Sequence, residues 1–338
     1  MIPQNTLCAL LDRAAPQVVV GLDHKLTVAT DALPYCIAIS PDGKSAYVTG
    51  MGNSVVSIYA RNTTTGELTS AGTIATASGP RWIAVSPDGT SVYVTSVRSA
   101  AVSIFSRNTA TGDLTSAGSI SAGTNPFGLA ISPDGRSVYV NNLNGGSVSV
   151  YSRDAATGGL TYAGDVPAGT NPYALTVSMD STSVYVADYR NAVVLIYARN
   201  VSTGALVPAG TIATGLNPGG ITISPNGTSV YVTNQSSNTV STYTRNTSTG
   251  ALTPTGKVST GSNPMGIVVG PDGKSVYVTN QSSATVSIYA RNTTTGDLTS
   301  AGTIATGSTP YGLAISPDDK SVYAVNRTSG TVSQLQLR

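Results

Sequence analysis

Histidine and cysteine, the residues that most often serve as general base and thiol nucleophile, are nearly absent from this 338-residue chain. His24 is the only histidine, so a Ser-His-Asp triad could form in one place only. The two cysteines, Cys8 and Cys36, are too few to form a disulfide framework or a zinc site. A metal centre rich in histidine is therefore excluded, and the candidate groups are aspartates, arginines and aromatic residues.

Charged residues are also scarce. The chain has 18 Lys+Arg and 16 Asp+Glu, a net charge of +2, and only 10% charged residues, whereas a soluble domain usually carries about 25%. A nucleic-acid partner is not expected, because the charge needed to neutralise many phosphates is missing. No apolar run of 18 residues occurs, so no membrane span is expected.

An internal repeat determines where the few reactive residues lie. Proline recurs every 46 residues, at positions 34, 80, 126, 172, 218, 264 and 310. The unit that begins at Pro264 contains four short β-rich runs, 266–269, 275–279, 285–290 and 302–306, each bounded by turn residues. Four antiparallel strands at this period are typical of a β-propeller blade. We therefore predict an all-β fold, a seven-bladed β-propeller of four-stranded antiparallel blades.

The two ends of the propeller should share one blade. After Pro310 only three strands fit before Arg338, whereas residues 26–30 are in register with a fourth strand. An N-terminal strand that completes the last blade would close the ring and remove an open sheet edge. Residues 22–338 are thus predicted to form one propeller, and residues 1–21 an N-terminal extension in which Asn5 could cap a short helix through Leu11.

Short motifs resemble those of two groups of propellers. Tyr231-Val-Thr-Asn234 and Tyr277-Val-Thr-Asn280 are similar to YVTN repeats. The lactonase family of seven-bladed propellers, the 6-phosphogluconolactonase-like group, is resembled more closely, through Tyr289-Ala-Arg-Asn292, Thr295-Gly-Asp-Leu298, Pro310-Tyr-Gly and Ser316-Pro-Asp. The resemblance covers residues 22–338 and implies the fold. It says little about chemistry, because these motifs belong to the sequence pattern that the blades share, which we call the template.

Residues that depart from the template are concentrated at one end of the predicted channel. The loop before each proline and the loop after each second strand should lie together on one face, the top face. Trp82 is the sharpest departure, because the other blades have a small residue there, and it should project into the channel or plug it. The other off-template residues of this face are Tyr35, Phe127, Tyr173, Tyr189, Tyr311, Arg81, Arg98, Arg190, Arg327, Asp31 and Asp188.

Other reactive residues belong to the template or to the scaffold. Six arginines recur once per blade and are expected to be solvated or to bind turns on the bottom face, at positions 61, 107, 153, 199, 245 and 291. His24 should be structural, since an extended strand would hold it about 23 Å from the top face. Cys36 lies at the mouth but lacks a nearby base, so we interpret it as a small packing residue.

Aromatic faces and guanidinium groups at one mouth predict a site for a small planar or anionic ligand, such as a carboxylate, a phosphate ester or an aromatic acid. Asp188 is the predicted general base, and Arg81, Arg98 and Arg190 are predicted to hold the anion and stabilise an oxyanion. Asp31 is an alternative base. The predicted substrate-binding residues are Tyr35, Arg81, Trp82, Phe127, Tyr173, Tyr189, Tyr311, Arg327 and Asp31. No convergent set of carboxylates and amides is evident, so neither a metal nor another cofactor is expected.

Two function classes stay open. The first is a metal-free lactonase-like enzyme that hydrolyses its substrate or performs a related cyclisation, elimination or isomerisation. The second is a non-catalytic YVTN-type propeller that binds a small molecule or a protein partner at the same face. A monomer is expected. The absence of a recognisable signal peptide favours the cytoplasm, although a composition low in Lys and rich in Ser, Thr and Gly would also suit a secreted protein whose leader has been removed.

Overall fold

A computed structural model describes residues 21–337, and every regular element in this range is a β-strand. The strands form seven four-stranded antiparallel sheets, which are the blades. This confirms the predicted fold class. The helix proposed after Asn5 and nearly all of the N-terminal extension lie outside the described residues. In the part of the chain described, no helix is long and apolar enough to cross a membrane.

Six blades use their strands in chain order from the channel outwards, and the seventh takes its outermost strand from the beginning of the described residues. The innermost strands are β2 (Pro34–Ile39), β6 (Pro80–Val85), β10 (Pro126–Ile131), β14 (Pro172–Val177), β18 (Pro218–Ile223), β22 (Pro264–Val269) and β26 (Pro310–Ile315). The second strands are β3 (Ser45–Gly50), β7 (Ser91–Ser96), β11 (Ser137–Asn142), β15 (Ser183–Asp188), β19 (Ser229–Asn234), β23 (Ser275–Asn280) and β27 (Ser321–Asn326).

The outer half of each blade consists of a third and a fourth strand. The third strands are β4 (Val55–Arg61), β8 (Ala101–Arg107), β12 (Ser147–Arg153), β16 (Val193–Arg199), β20 (Thr239–Arg245), β24 (Thr285–Arg291) and β28 (Thr331–Leu337). The fourth strands are β5 (Leu68–Ala75), β9 (Leu114–Ser121), β13 (Leu160–Pro167), β17 (Leu206–Ala213), β21 (Leu252–Ser259), β25 (Leu298–Ala305) and β1 (Leu22–Ala29).

The ring closes as the sequence predicts. The last sheet has the order β1-β28-β27-β26, so the first strand of the chain is the outer strand of the seventh blade. Leu22 pairs with Leu337 and Ala29 with Thr331, with a register shift between His24 and Leu26. His24 therefore lies on the outer strand, where its Nε2 is 3.3 Å from the Thr27 hydroxyl.

The core lies between neighbouring blades and consists mainly of second-strand residues. All six residues of each second strand are buried. Side chains of such a strand alternate between the two sheet faces, and one face packs on the preceding blade while the other packs on the next. The fourth strands are mostly exposed, which fits their Ser-, Thr- and Gly-rich sequences.

The template arginines tie neighbouring blades together at the bottom face. Arg107 is typical: its Nε donates to the Tyr47 hydroxyl at 2.7 Å, its Nη1 to the Gly89 carbonyl at 3.2 Å and its Nη2 to Asp42 at 3.0 Å. Five Arg–Asp ion pairs of this kind occur, in each of which the arginine side chain is at most 1% exposed. The sequence left two expectations for these arginines, that they are solvated or that they bind turns. They bind turns, and they are buried because the adjacent blade covers them.

The third residue of most inner strands is small, and the packing of neighbouring blades explains why. A Cβ on Gly128 would lie 2.7 Å from the Tyr173 carbonyl oxygen, and one on Gly220 would lie 2.3 Å from that of Met265. The backbones of adjacent inner strands thus approach closely, and glycine permits this approach.

Candidate functional site at the channel mouth

The second residue of every inner strand contributes to a ring at the top of the channel, which we call the mouth ring. Its members are Tyr35, Arg81, Phe127, Tyr173, Gly219, Met265 and Tyr311. Threonines of the second strands fix the local backbone: Thr49 accepts from the Cys36 amide at 3.0 Å and donates to the Arg81 carbonyl of the next blade at 2.9 Å. Tyr35 and Tyr311 are only 3% and 5% exposed, so the ring forms a packed layer across the channel.

The aromatic members of the mouth ring are in direct contact. The ring centroids of Tyr35 and Tyr311 are 4.0 Å apart, and those of Phe127 and Tyr173 are 4.4 Å apart. Tyr35 also meets Phe127 edge to face, with a centroid separation of 5.8 Å. Such pairs add to the stabilisation gained from burial. Four of the predicted substrate-binding residues are therefore brought together.

Three tyrosine hydroxyls meet at the centre of the ring. The Tyr35 hydroxyl donates to the Tyr311 hydroxyl, which is also hydrogen-bonded to the Tyr173 hydroxyl. Burial is the first cause that raises the pKa of all three, and it holds those of Tyr35 and Tyr311 well above the usual value. All three groups are thus protonated at neutral pH. A chain of three hydroxyls has three O–H donors but only two internal bonds, so one donor is left for a ligand.

Two guanidinium groups flank the same cluster. Arg81 Cζ lies 4.5 Å from the centroid of the Tyr35 ring, and Arg327 Cζ lies 5.7 Å from it. The Nε atoms of both arginines are buried without a hydrogen-bond partner among the described residues. Neither side chain takes part in the ion pairs of the described chain. A buried N–H group without a partner is uncommon, and an anion would satisfy both.

The loops after the second strands extend the cluster on one side. Tyr189 stacks on Tyr173 at a centroid distance of 5.3 Å, and its hydroxyl donates to Gln235 Oε1 at 3.3 Å. Gln235 in turn donates from Nε2 to the Met265 sulfur at 2.7 Å. Gln235 and Met265 were not among the predicted site residues. Gln235 shares its position with Gln281, so comparing the blades with one another could not single it out.

Trp82 lines a small cavity next to the mouth ring. The cavity has a volume of about 50 Å³, which is room for a few water molecules, and Cys36, Met265, Tyr311 and glycines of blades five to seven complete its wall. Trp82 thus reaches into the channel, as expected from its departure from the template. Burial raises the pKa of the Cys36 thiol to about 11, so the thiol is protonated and cannot be a nucleophile at neutral pH.

The predicted base Asp188 has a different environment. It is fully buried, and its carboxylate accepts hydrogen bonds from the backbone amides of Thr170, Asn171 and Arg190 and from the Asn191 side chain. These bonds organise the two loops on which Asp188 lies. Its role as a general base stays a prediction, and the contacts shown here give it a structural role.

The remaining predicted residues lie in loops around the mouth. The side chains of Arg98 and Arg190 are exposed. Asp31 accepts from Ser57 at 2.7 Å and from Asn53 at 3.3 Å, which ties the end of β1 to the first full blade. The structure shows no contact of these three with the tyrosine cluster among residues 21–337. No group of three or more potential metal ligands occurs in that range either.

Comparison with known protein families gives a match that covers most of the chain. A family model described as lactonase, seven-bladed β-propeller, matches residues 23–127, 119–219, 174–269, 208–310 and 260–338. These matches together span nearly the whole chain. No curated protein gives a significant match.

Solved structures show the same fold at low sequence identity. A candidate 6-phosphogluconolactonase of Bacteroides uniformis has a TM-score of 0.76 at 21% identity over 93% of this chain and 91% of its own. The periplasmic gluconolactonase of Pseudomonas aeruginosa gives 0.74 at 20% identity over 86% of this chain and 98% of its own. Hydrazine synthase of Kuenenia stuttgartiensis gives 0.72 at 20% identity over 91% and 97%. Because the last has an unrelated chemistry, these similarities describe the fold alone.

Proposed function

The chain belongs to the family of seven-bladed β-propeller lactonases, and we propose that it hydrolyses a small anionic lactone at the mouth ring. The observation that carries this proposal is the convergence of two guanidinium groups, Arg81 and Arg327, on a cluster of three protonated tyrosine hydroxyls.

The arginines supply the anion-binding part of the site. Their unpartnered Nε groups suit a carboxylate or phosphate substituent of the substrate, because planar guanidinium groups bind such anions with two parallel hydrogen bonds. Phe127 and Tyr189 enlarge the apolar surface beside the cluster, which would contact the carbon skeleton of the substrate. A neutral lactone lacks the group that these arginines bind and should be a poorer ligand.

The tyrosine cluster supplies the electrophilic part of the site. Its one spare O–H can donate to the lactone carbonyl oxygen and stabilise the negative charge that develops there. Water adds to the carbonyl carbon, the ring C–O bond breaks, the ring oxygen becomes an alcohol, and the product is a carboxylate with one proton released to solvent. The raised pKa values of the tyrosines suit donors and not bases.

A hydrolysis assay tests this proposal. Proton release from a δ-lactone that carries a phosphate or carboxylate should be faster with the protein than the spontaneous reaction. Tyr311→Phe removes the central hydroxyl and should lower kcat about 100-fold, as expected when an oxyanion donor is lost. Tyr162→Phe, at an exposed tyrosine of β13, is the matched control and should keep the wild-type rate. Wild-type protein that gives no acceleration with any such lactone would contradict catalysis.

Non-catalytic binding of a small anion is the second candidate. It is favoured by the near-complete burial of Tyr35, Phe127 and Tyr311, because a substrate reaches the hydroxyls only if these rings move. Saturable binding of the hydroxy acid product without any turnover of the lactone would support this alternative.

A further inference from the structure

The arginine positions at the bottom face carry a further inference. Six arginines occupy equivalent slots between blades, where each donates from Nε to a second-strand tyrosine hydroxyl at 2.6–2.8 Å. The seventh equivalent position is Leu337. Its backbone is placed in the same way, since the Leu337 amide donates to the Lys320 carbonyl as the Arg291 amide does to the Lys274 carbonyl. The side chain therefore differs while the backbone that carries it is placed as in the other blades.

The acceptors of this seventh slot are in place. We define the seventh slot by Asp272, Ser275, Tyr277 and Asp319, which correspond to the residues that hold Arg107 in the second blade. Tyr277 is fully buried, and its hydroxyl has no hydrogen-bond partner among the described residues. The Ser275 hydroxyl is buried without a partner as well. In each of the other six blades the tyrosine hydroxyl bonds both to an arginine and to a glycine carbonyl.

The slot also carries more negative charge than its six counterparts. Asp319 replaces the glycine of the Pro-Asp-Gly turn, and Gly270 replaces a serine that elsewhere bonds the turn aspartate. The position of a Cβ on Gly270 is 2.6 Å from Ser275 Oγ and 3.2 Å from one oxygen each of Asp272 and Asp319, so these oxygens surround one point. Lys274 Nζ lies 3.6 Å from Asp272 but is half exposed, so it neutralises this pair only in part.

We propose that the seventh slot binds a guanidinium group that its own third strand does not supply. A planar guanidinium can donate at once to the Tyr277 hydroxyl, to a carboxylate and to a backbone carbonyl. Five of the other slots use these three kinds of partner, and in the slot of Arg291 the Asn226 side-chain oxygen replaces the carboxylate. The group could come from Arg338, which lies outside the described residues, or from another molecule. This inference is independent of the proposed lactonase activity, because the slot is on the opposite face of the propeller.

Calorimetric titration with methylguanidinium tests the proposal. We expect saturable binding to the wild-type protein or, if Arg338 fills the slot, to Arg338→Ala with a clear gain over wild type. Leu337→Arg should abolish this binding and raise Tm, because the blade then supplies its own guanidinium. Leu337→Met, which has a similar volume and no charge, should keep the binding.

Three outcomes would overturn the assignment. They are the absence of saturable binding to both wild type and Arg338→Ala, unchanged binding in Leu337→Arg, and tighter binding of Ca²⁺ than of methylguanidinium. Tyr277→Phe provides a second measurement should Leu337→Arg fail to fold. It removes one acceptor and should weaken methylguanidinium binding, whereas equal affinity would show that Tyr277 does not face the ligand.

Discussion

At the scale of single residues, Asp188 shows how a buried charged side chain can have a structural role in place of a catalytic one. Its carboxylate accepts hydrogen bonds from backbone amides of two loops. In the next blade, Asn234 Oδ1 accepts from the Gly215 amide, in the loop that corresponds to the one holding Thr170. An aspartate here extends what the template asparagine does, because both side chains present an oxygen to backbone N–H groups of this loop, although the donors lie one or two residues apart.

Asp188→Asn distinguishes the two roles. An amide has one acceptor oxygen where the carboxylate has two, so several loop N–H groups lose a partner and unfolding should become easier by about 1–3 kcal/mol. Thermal unfolding measures this cost, and lactone hydrolysis by the folded variant should be retained. Abolished turnover with an unchanged Tm would instead establish Asp188 as the general base.

The sequence identified the mouth cluster at this scale but not its hydrogen bonding. Tyr35, Tyr173 and Tyr311 stand out because other blades have different residues there, and a propeller brings those positions together. Comparison of blades cannot show that three hydroxyls meet or that Arg81 lies against one ring. Those contacts depend on side-chain conformations set by all seven blades at once.

At the scale of one element, the turn between β26 and β27 departs from the other blades. Asp319 replaces glycine and has φ of 55°, a left-handed conformation that glycine adopts more easily. Burial and the charge of Asp272 raise the pKa of the Asp319 carboxyl to about 6. This turn is therefore predicted to be a weak point of the seventh blade at neutral pH.

Asp319→Gly should raise Tm, and the gain should depend on pH. In the folded state Asp319 holds its proton up to about pH 6, whereas in the unfolded chain it loses it near pH 4. The folded state thus binds more protons between these values, and the stability that this group contributes falls as pH rises from about 4 to 6. Melting curves of both proteins should show a larger difference at pH 7.5 than at pH 4.5.

Asp319→Asn is the control for this prediction. It removes the charge but keeps a side chain at positive φ, so it should reproduce only the pH-dependent part of the gain. A gain from Asp319→Gly that is the same at both pH values would show that Asp319 and Asp272 do not repel each other in the folded state.

At the scale of the whole molecule, the pairing of β1 with β28 holds the ring closed. Val28 of β1 is opposite Val332 and packs on the core between the last and first blades. Val28→Asp should cost about 1–3 kcal/mol and expose the β28 edge, which invites association between molecules. Thermal unfolding and light scattering after size exclusion measure the two effects.

Val258→Asp is the matched control, because Val258 occupies the same position in β21 and packs on an equivalent core. Its blade is covalently continuous, so the variant should lose stability without association. Equal association of both variants would contradict a special role of β1 in closure.

The architecture could be predicted from the sequence because the repeat is so regular. Seven prolines 46 residues apart and a missing fourth strand define the number of blades and their closure. The substrate could not be predicted in this way. One fold serves several chemistries, and the function of the few residues that differ between blades can be inferred only from the contacts they make.

Binding of an anion between Arg81 and Arg327 is the central claim, and calorimetric titration tests it most directly. The ligand is the stable hydroxy acid product of a phosphorylated δ-lactone. Arg136→Met, at an exposed bottom-face arginine, should bind it as wild type does. Arg81→Met and Arg327→Met should each bind it at least about tenfold more weakly, because a charge-assisted hydrogen bond contributes about 1.5–3 kcal/mol. Equal affinities in all four proteins would contradict an anion site at the mouth ring.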